Sequence, residues 1–125
     1  NAGFSTGQPW LAVNPNYQRI NVQEALANPD SIFYTYQKLV QIRKENSWLI
    51  RADFELLDTA DKVFAYIRKD GARRFLVVAN LSNEEQGLAV EGNVKSVLIE
   101  NTAAQEVFEK QILAPWDAFC VELTD

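Results

Sequence analysis

Carboxylates are the side chains here whose type and spacing could carry acid–base chemistry. Asp53 and Glu55 alternate onto one face of a strand-like run, Asp58 and Asp61 flank a turn, and Glu84-Glu85 sits in another. Two carboxyl groups with separated pKa values can cleave a glycosidic bond, one attacking or activating water and the other donating a proton. Each of these acids also reads as a solvated edge or a turn cap. An exposed carboxyl titrates near ~4, too low to donate a proton at neutral pH. The chain has no histidine and a single cysteine, Cys120. That removes His-activated Ser or Cys nucleophiles and the commonest transition-metal ligand. In the run 118–123, Phe119, Val121 and Leu123 share one face, which leaves Cys120 with Ala118 and Glu122 on the other. It reads as a packed thiol rather than a nucleophile. With no Gly-rich phosphate loop and no cysteine metal cluster, neither cofactor nor metal is expected.

Aromatic residues offer a second kind of chemistry, the stacking of rings against sugars. Trp48 and Trp116 stand at a helix end and a strand start, where packing is the simpler role. Trp10 and Tyr17 lie in an irregular stretch, and there packing and ligand contact stay equally open. Gln8, Asn14 and Asn16 beside them suit sugar hydroxyls and suit turns.

The elements that must position these groups follow from period and punctuation. Residues 1–20 contain Gly3, Gly7, Pro9 and Pro15 without a regular period, so an extended loop shaped to lie against something is expected. Asn21 with Glu24 forms a capping pair for a short helix. Asn28-Pro29-Asp30 then predicts the start of a longer helix running to about Asn46. Its apolar stripe is Ile32, Phe33, Tyr36, Leu39 and Val40, with Arg43 and Lys44 in the last turn. After Ser47 the period becomes two. Strands are predicted at 53–58, 62–69, 74–81, 86–91, 94–100, 106–113 and 118–123, with Asp70-Gly71 turning a hairpin. Val63–Ile67 and Phe75–Leu81 are apolar on both faces, so a second cover is needed, either the 29–46 helix or a domain outside this chain.

The whole-chain properties fit one compact domain. There are 125 residues, 47% hydrophobic and 23% charged, with a net charge of -5. Nucleic acid is not an expected partner, since the twelve basic residues are dispersed. No apolar run is long enough to span a bilayer, so no membrane role is expected. The start Asn1-Ala2-Gly3-Phe4, in a chain without methionine, reads as a cut inside a longer protein; an expression scar is the other reading.

The stretch Gly3–Tyr17 (GFSTGQPWLAVNPNY) resembles a segment of family 13 glycoside hydrolases of the oligo-1,6-glucosidase, glucan 1,6-α-glucosidase and trehalose-6-phosphate hydrolase type. The likeness continues through Ile20–Val22, Ala27–Phe33, Tyr36–Asn46 and Leu113–Ala118, and so covers nearly the whole chain. It implies that residues 1–47 are the end of a catalytic (β/α)8 barrel: loop, short helix and last barrel helix. Residues 48–125 would be an antiparallel, Greek-key-like β-sandwich, the domain C of the superfamily. Trp10, Asn14, Asn16 and Tyr17 would lie on a loop near the substrate. The family's catalytic carboxylates and paired His motif would precede Asn1, so no catalytic residue is transferred. The resemblance thus implies a non-catalytic portion of a retaining, cytoplasmic α-glucosidase acting on α-1,6 linkages of isomaltooligosaccharides or dextran-like glucans. Its partner would be the upstream barrel. The alternative is a free-standing carbohydrate-binding sandwich using Trp10, Trp48 or Trp116 as platforms.

Overall fold

The computed structural model describes residues 1–124. They form two compact units, Asn1–Gln41 and a second that begins at Ile42.

In the first unit a loop precedes α1 (Val22–Ala27) and α2 (Ile32–Glu45), the last turn of which runs into the second unit. Asn21 caps α1 as its type predicts: its side chain accepts the Glu24 N–H at 2.9 Å. The longer helix begins three residues later than the predicted Pro29. Asn28 Oδ1 accepts the Asp30 N–H at 3.0 Å, a local turn rather than a helix cap. The first helical bonds instead reach the carbonyl of Ser31, from Tyr34 and Thr35. Ser31 Oγ and Tyr34 Oη donate back to the carbonyls of Ala25 and Leu26, which tie off the open end of α1. Ile32, Phe33, Tyr36, Leu39 and Val40, the apolar stripe of α2, are all exposed.

The second unit opens with a 3₁₀ turn, Ser47–Ile50. Then come β1 (Asp53–Leu56), β2 (Val63–Asp70), β3 (Arg73–Asn80), β4 (Gln86–Gly87), β5 (Asn93–Glu100), α3 (Ala104–Lys110), β6 (Ile112–Leu113) and β7 (Ala118–Thr124). The main sheet has the order β1-β2-β3-β7-β5, with every pairing antiparallel, and β4 pairs with β6 separately. The predicted hairpin is present, with Asp70 opposite Arg73 and Gly71 at φ +60°, where glycine carries no Cβ penalty.

Alternation decides which face holds the core. Ala65, Val78 and Phe119 lie in one row across the sheet, and Ile67, Leu76 and Val121 in the next. All six are buried, and Leu88, Ala104, Val107, Phe108 and Leu113 close over them. The second layer is therefore α3 with the small β4–β6 ladder. A strand predicted at 106–113 is corrected here to a helix followed by two strand residues. Ala104, Val107 and Phe108 are spaced three and four apart on one helical face, and Lys110 pairs with Glu106 one turn away at 2.9 Å. Glu100 Oε2 takes the Ala104 N–H, and Gln111 ends the helix in the left-handed region at φ +53°. The strand predicted at 86–91 likewise shortens to Gln86–Gly87.

One end of the core is polar. Asn80 is buried; its Nδ2 donates to the carbonyls of Glu84 (2.8 Å) and Ala114 (2.9 Å), and its Oδ1 accepts from Ser82 N and Oγ. It joins two loops that approach from different parts of the chain. Asn80→Ala is expected to cost about 1–2 kcal/mol, because buried carbonyl and hydroxyl groups lose their partners. Chemical denaturation of the variant would show a lower midpoint with an unchanged slope.

Candidate functional site

The loop residues singled out by sequence sit in a chain of local turns. Asn14 Oδ1 accepts the Asn16 N–H at 3.3 Å, and the Asn14 carbonyl accepts the Tyr17 N–H at 3.1 Å. The Asn16 carbonyl takes the N–H groups of Arg19 and Ile20, both at 2.9 Å. Asn21, while capping α1, also donates from Nδ2 to the Tyr17 carbonyl at 2.9 Å. Thus Asn14, Asn16 and Tyr17 are brought together by backbone geometry that asparagine side chains favour. Trp10 stands outside that turn series and is 92% exposed; Tyr17 is 37% exposed. At the chain start Asn1 Nδ2 donates to the carbonyls of Ser5 and Gly7, which shapes the first bend.

The carboxylates present the opposite of what proton donation needs. Glu55, paired with Lys69, is held below its usual range by that hydrogen bond. Lys62 does the same to Glu84 at 2.5 Å, and Lys110 to Glu106. Glu122 is the most perturbed: Arg73 Nε and Lys95 Nζ each donate at 3.0 Å and pull its pKa down to about 2, although burial opposes them. A general acid requires a carboxyl pushed up, not down. Cys120 lies on the sheet face away from the core, and burial pushes its thiol up to about 11, which makes it a poor nucleophile. Among the described residues no group of three or more Asp, Glu or Cys could hold a metal ion.

The two packing tryptophans divide. Trp48 stacks flat on Phe75, ring centroids 3.8 Å apart, and donates from Nε1 to Asn46 Oδ1 at 2.9 Å. The Arg73 guanidinium lies 4.6 Å from the Phe75 ring centroid. Trp116, however, is 59% exposed and does not pack as expected. It occupies the third position of the turn Ala114-Pro115-Trp116-Asp117, closed by Asp117 N–H to the Ala114 carbonyl at 3.2 Å. Its φ is +65°, a conformation normally left to Gly or Asn. The indole is thereby turned outward. Proline at the second turn position, followed by a residue other than glycine, was the available signal.

The sheet face away from the core is apolar as the strand pattern requires. Phe54 and Leu56 of β1 stand beside Arg68 and Tyr66 of β2, with Phe64 further along. Phe54, Leu56 and Phe64 are exposed, although the aromatic rings touch, Phe54 and Tyr66 at 5.0 Å.

The fold is that of the C-terminal part of enzymes in the α-amylase family. Residues 1–52 match the family model described as "Alpha amylase, catalytic domain", and residues 63–118 match "Alpha-amylase SusG C-terminal domain". The chain belongs to glycoside hydrolase family 13, the α-amylase family, and corresponds to the C-terminal part of its longer members. It is 92% identical over 123 residues to the glucan 1,6-alpha-glucosidase of Streptococcus pneumoniae, spanning 98% of this chain and 23% of the relative. A glucan 1,6-alpha-glucosidase of Streptococcus dysgalactiae subsp. equisimilis is 55% identical over 124 residues, again 98% of this chain and 23% of the relative. Among solved structures, a Bacillus licheniformis trehalose-6-phosphate hydrolase superposes with a TM-score of 0.84 at 33% identity, covering 100% of this chain and 24% of that one. The chain therefore spans about a quarter of the length of these relatives.

Proposed function

We propose that this chain is the supporting, non-catalytic end of a retaining α-glucosidase that hydrolyses α-1,6 linkages in isomaltooligosaccharides or dextran-like glucans. The observation that carries the reading is the 92% identity to a glucan 1,6-alpha-glucosidase over 98% of this chain. In such an enzyme one carboxylate attacks the anomeric carbon and a second protonates the leaving oxygen, after which water releases the sugar. These groups belong to the upstream barrel. Residues 1–47 complete that barrel, and residues 48–125 form the domain that packs beside it. Trp10, Asn14, Asn16 and Tyr17 lie on a loop near the substrate, where the exposed Trp10 indole and Asn14 amide face sugar rings and hydroxyls. A cytoplasmic location goes with this reading.

Support is a matter of buried area. The stripe of α2 and the face carrying Phe54, Leu56 and Phe64 are preformed and wet in this chain. At ~25 cal/mol per Å² of apolar burial, sealing either face is worth several kcal/mol before ordering costs. The test is complementation. The upstream portion alone is expected to be insoluble or inactive, and producing it together with this chain is expected to restore glucose release from isomaltose. Full activity of the upstream portion by itself would count against a supporting role.

A further inference from the structure

A tryptophan is an improbable occupant of the turn at 114–117. The left-handed backbone at φ +65° penalises a bulky side chain, and 59% exposure denies it the gain of packing. The surroundings nevertheless hold it firmly. Its N–H donates to the Ser82 carbonyl at 3.2 Å, and its carbonyl accepts from Asn101 Nδ2 at 2.9 Å. Asn101 Oδ1 takes the Ala118 N–H at 2.7 Å, so one side chain holds the backbone on both sides of Asp117, directly after the strained residue. Asp117 Oδ2 fixes the Ala114 N–H at 2.7 Å, and the Asp117 carbonyl takes the N–H of the buried Asn80 at 2.8 Å. The result is a rigid mount that presents an indole to solvent.

Beside this mount lies an open groove of about 440 Å³. Ala114 and Asp117, on either side of the tryptophan in sequence, line it together with the polar Glu85, Thr102, Glu106 and Lys110 and the apolar Val107 and Ile112. Glu106 and Lys110 pair at 2.9 Å while both remain exposed, so each keeps hydrogen-bonding capacity. The groove runs along α3 and β6, the layer on the core side of the sheet, and is not part of the apolar face that carries Phe54 and Phe64.

We propose that Trp116 and this groove bind an α-glucan chain. A glucose ring offers an apolar C–H face to a flat indole and a rim of hydroxyls to carboxylate, ammonium and threonine groups; the turn that carries Trp116 contributes Ala114 and Asp117 to the groove that holds those polar groups. Charged and hydroxyl groups share the groove with Ala103, Val107 and Ile112, and this mixed lining suits the hydroxyls and C–H faces of a sugar chain rather than the continuous apolar patch of a protein interface. The choice of glucan over another polysaccharide rests on the functional reading above.

The test is retention of the full-length protein carrying this chain in native gels containing dextran, run cold, for the wild type and for Trp116→Gly. Glycine removes the indole and suits the left-handed backbone, so folding is not put at risk. Retention constants are expected to weaken about five- to tenfold in the variant, the size of one aromatic stacking contact. Glu106→Gln is expected to weaken retention as well, with unfolding midpoints unchanged. KM for long dextran should rise while kinetics on isomaltose stay as in the wild type. Equal retention of wild type and Trp116→Gly, or none for the wild type, overturns the proposal. Absence of α-1,6 hydrolysis by the wild type would overturn the functional reading instead, and retention would still decide the site.

Discussion

Leu76→Ala is expected to lower the unfolding free energy of the β domain by about 3–5 kcal/mol, the upper range for a buried leucine. Leu76 is fully buried and stands in the central sheet row between Ile67 and Val121, under the layer made by α3 and Leu113. Neighbours fixed by ladder hydrogen bonds on both sides cannot close around the lost methyl groups, so a cavity remains. Domains of this size are stable by only about 5–15 kcal/mol, and the loss should leave the variant near its folding threshold. A urea midpoint shifted far down with an unchanged slope would confirm it. A shift below about 1 kcal/mol would mean that the core relaxes in a way this packing does not allow.

Glu122 should control acid stability. Its carboxyl is buried, and Arg73, Lys95 and Ser96 Oγ all reach it. The folded pKa of about 2 lies below the ordinary value of 4.5. The stabilisation is therefore complete above about pH 4.5 and is lost as pH falls toward 2. Glu122→Gln is expected to cost about 1–2 kcal/mol at neutral pH, discounted because both cations are half-exposed. The variant should also show a shallower decline than wild type between pH 4.5 and 2. Parallel declines of the two proteins through that range would assign the acid sensitivity to other carboxylates.

Much of the architecture could be read from side-chain spacing. The stripe Ile32–Val40, the Asn21 cap and the Asp70-Gly71 hairpin are local signals, and each appears where its chemistry demands. The doubly apolar runs 63–67 and 75–81 became the two strands at the heart of the sheet, one face in the core and the other partly exposed, with Phe75 covered by Trp48 and Phe64 open. The misplaced strand at 106–113 has a physical origin. Val107, Phe108, Ile112 and Leu113 look like strand apolar pairs, yet Val107 and Phe108 complete a helical face only with Ala104, a residue too small to stand out. The late start of α2 reflects a contest between two uses of Asn28, and the local turn with Asp30 won. The exposed Trp116 was hardest to foresee, since it depends on Asn101 and Ser82, which reach the turn only in the folded sheet.

On the proposed division of labour, this chain shapes and supports while upstream residues break the bond. Glucose release from isomaltose should be followed for two highly purified samples: the 125-residue chain, and the full-length protein that carries it. The full-length protein is expected to turn the substrate over while the chain alone gives the blank rate. Steady glucose production by the chain alone, proportional to its concentration, would contradict the account.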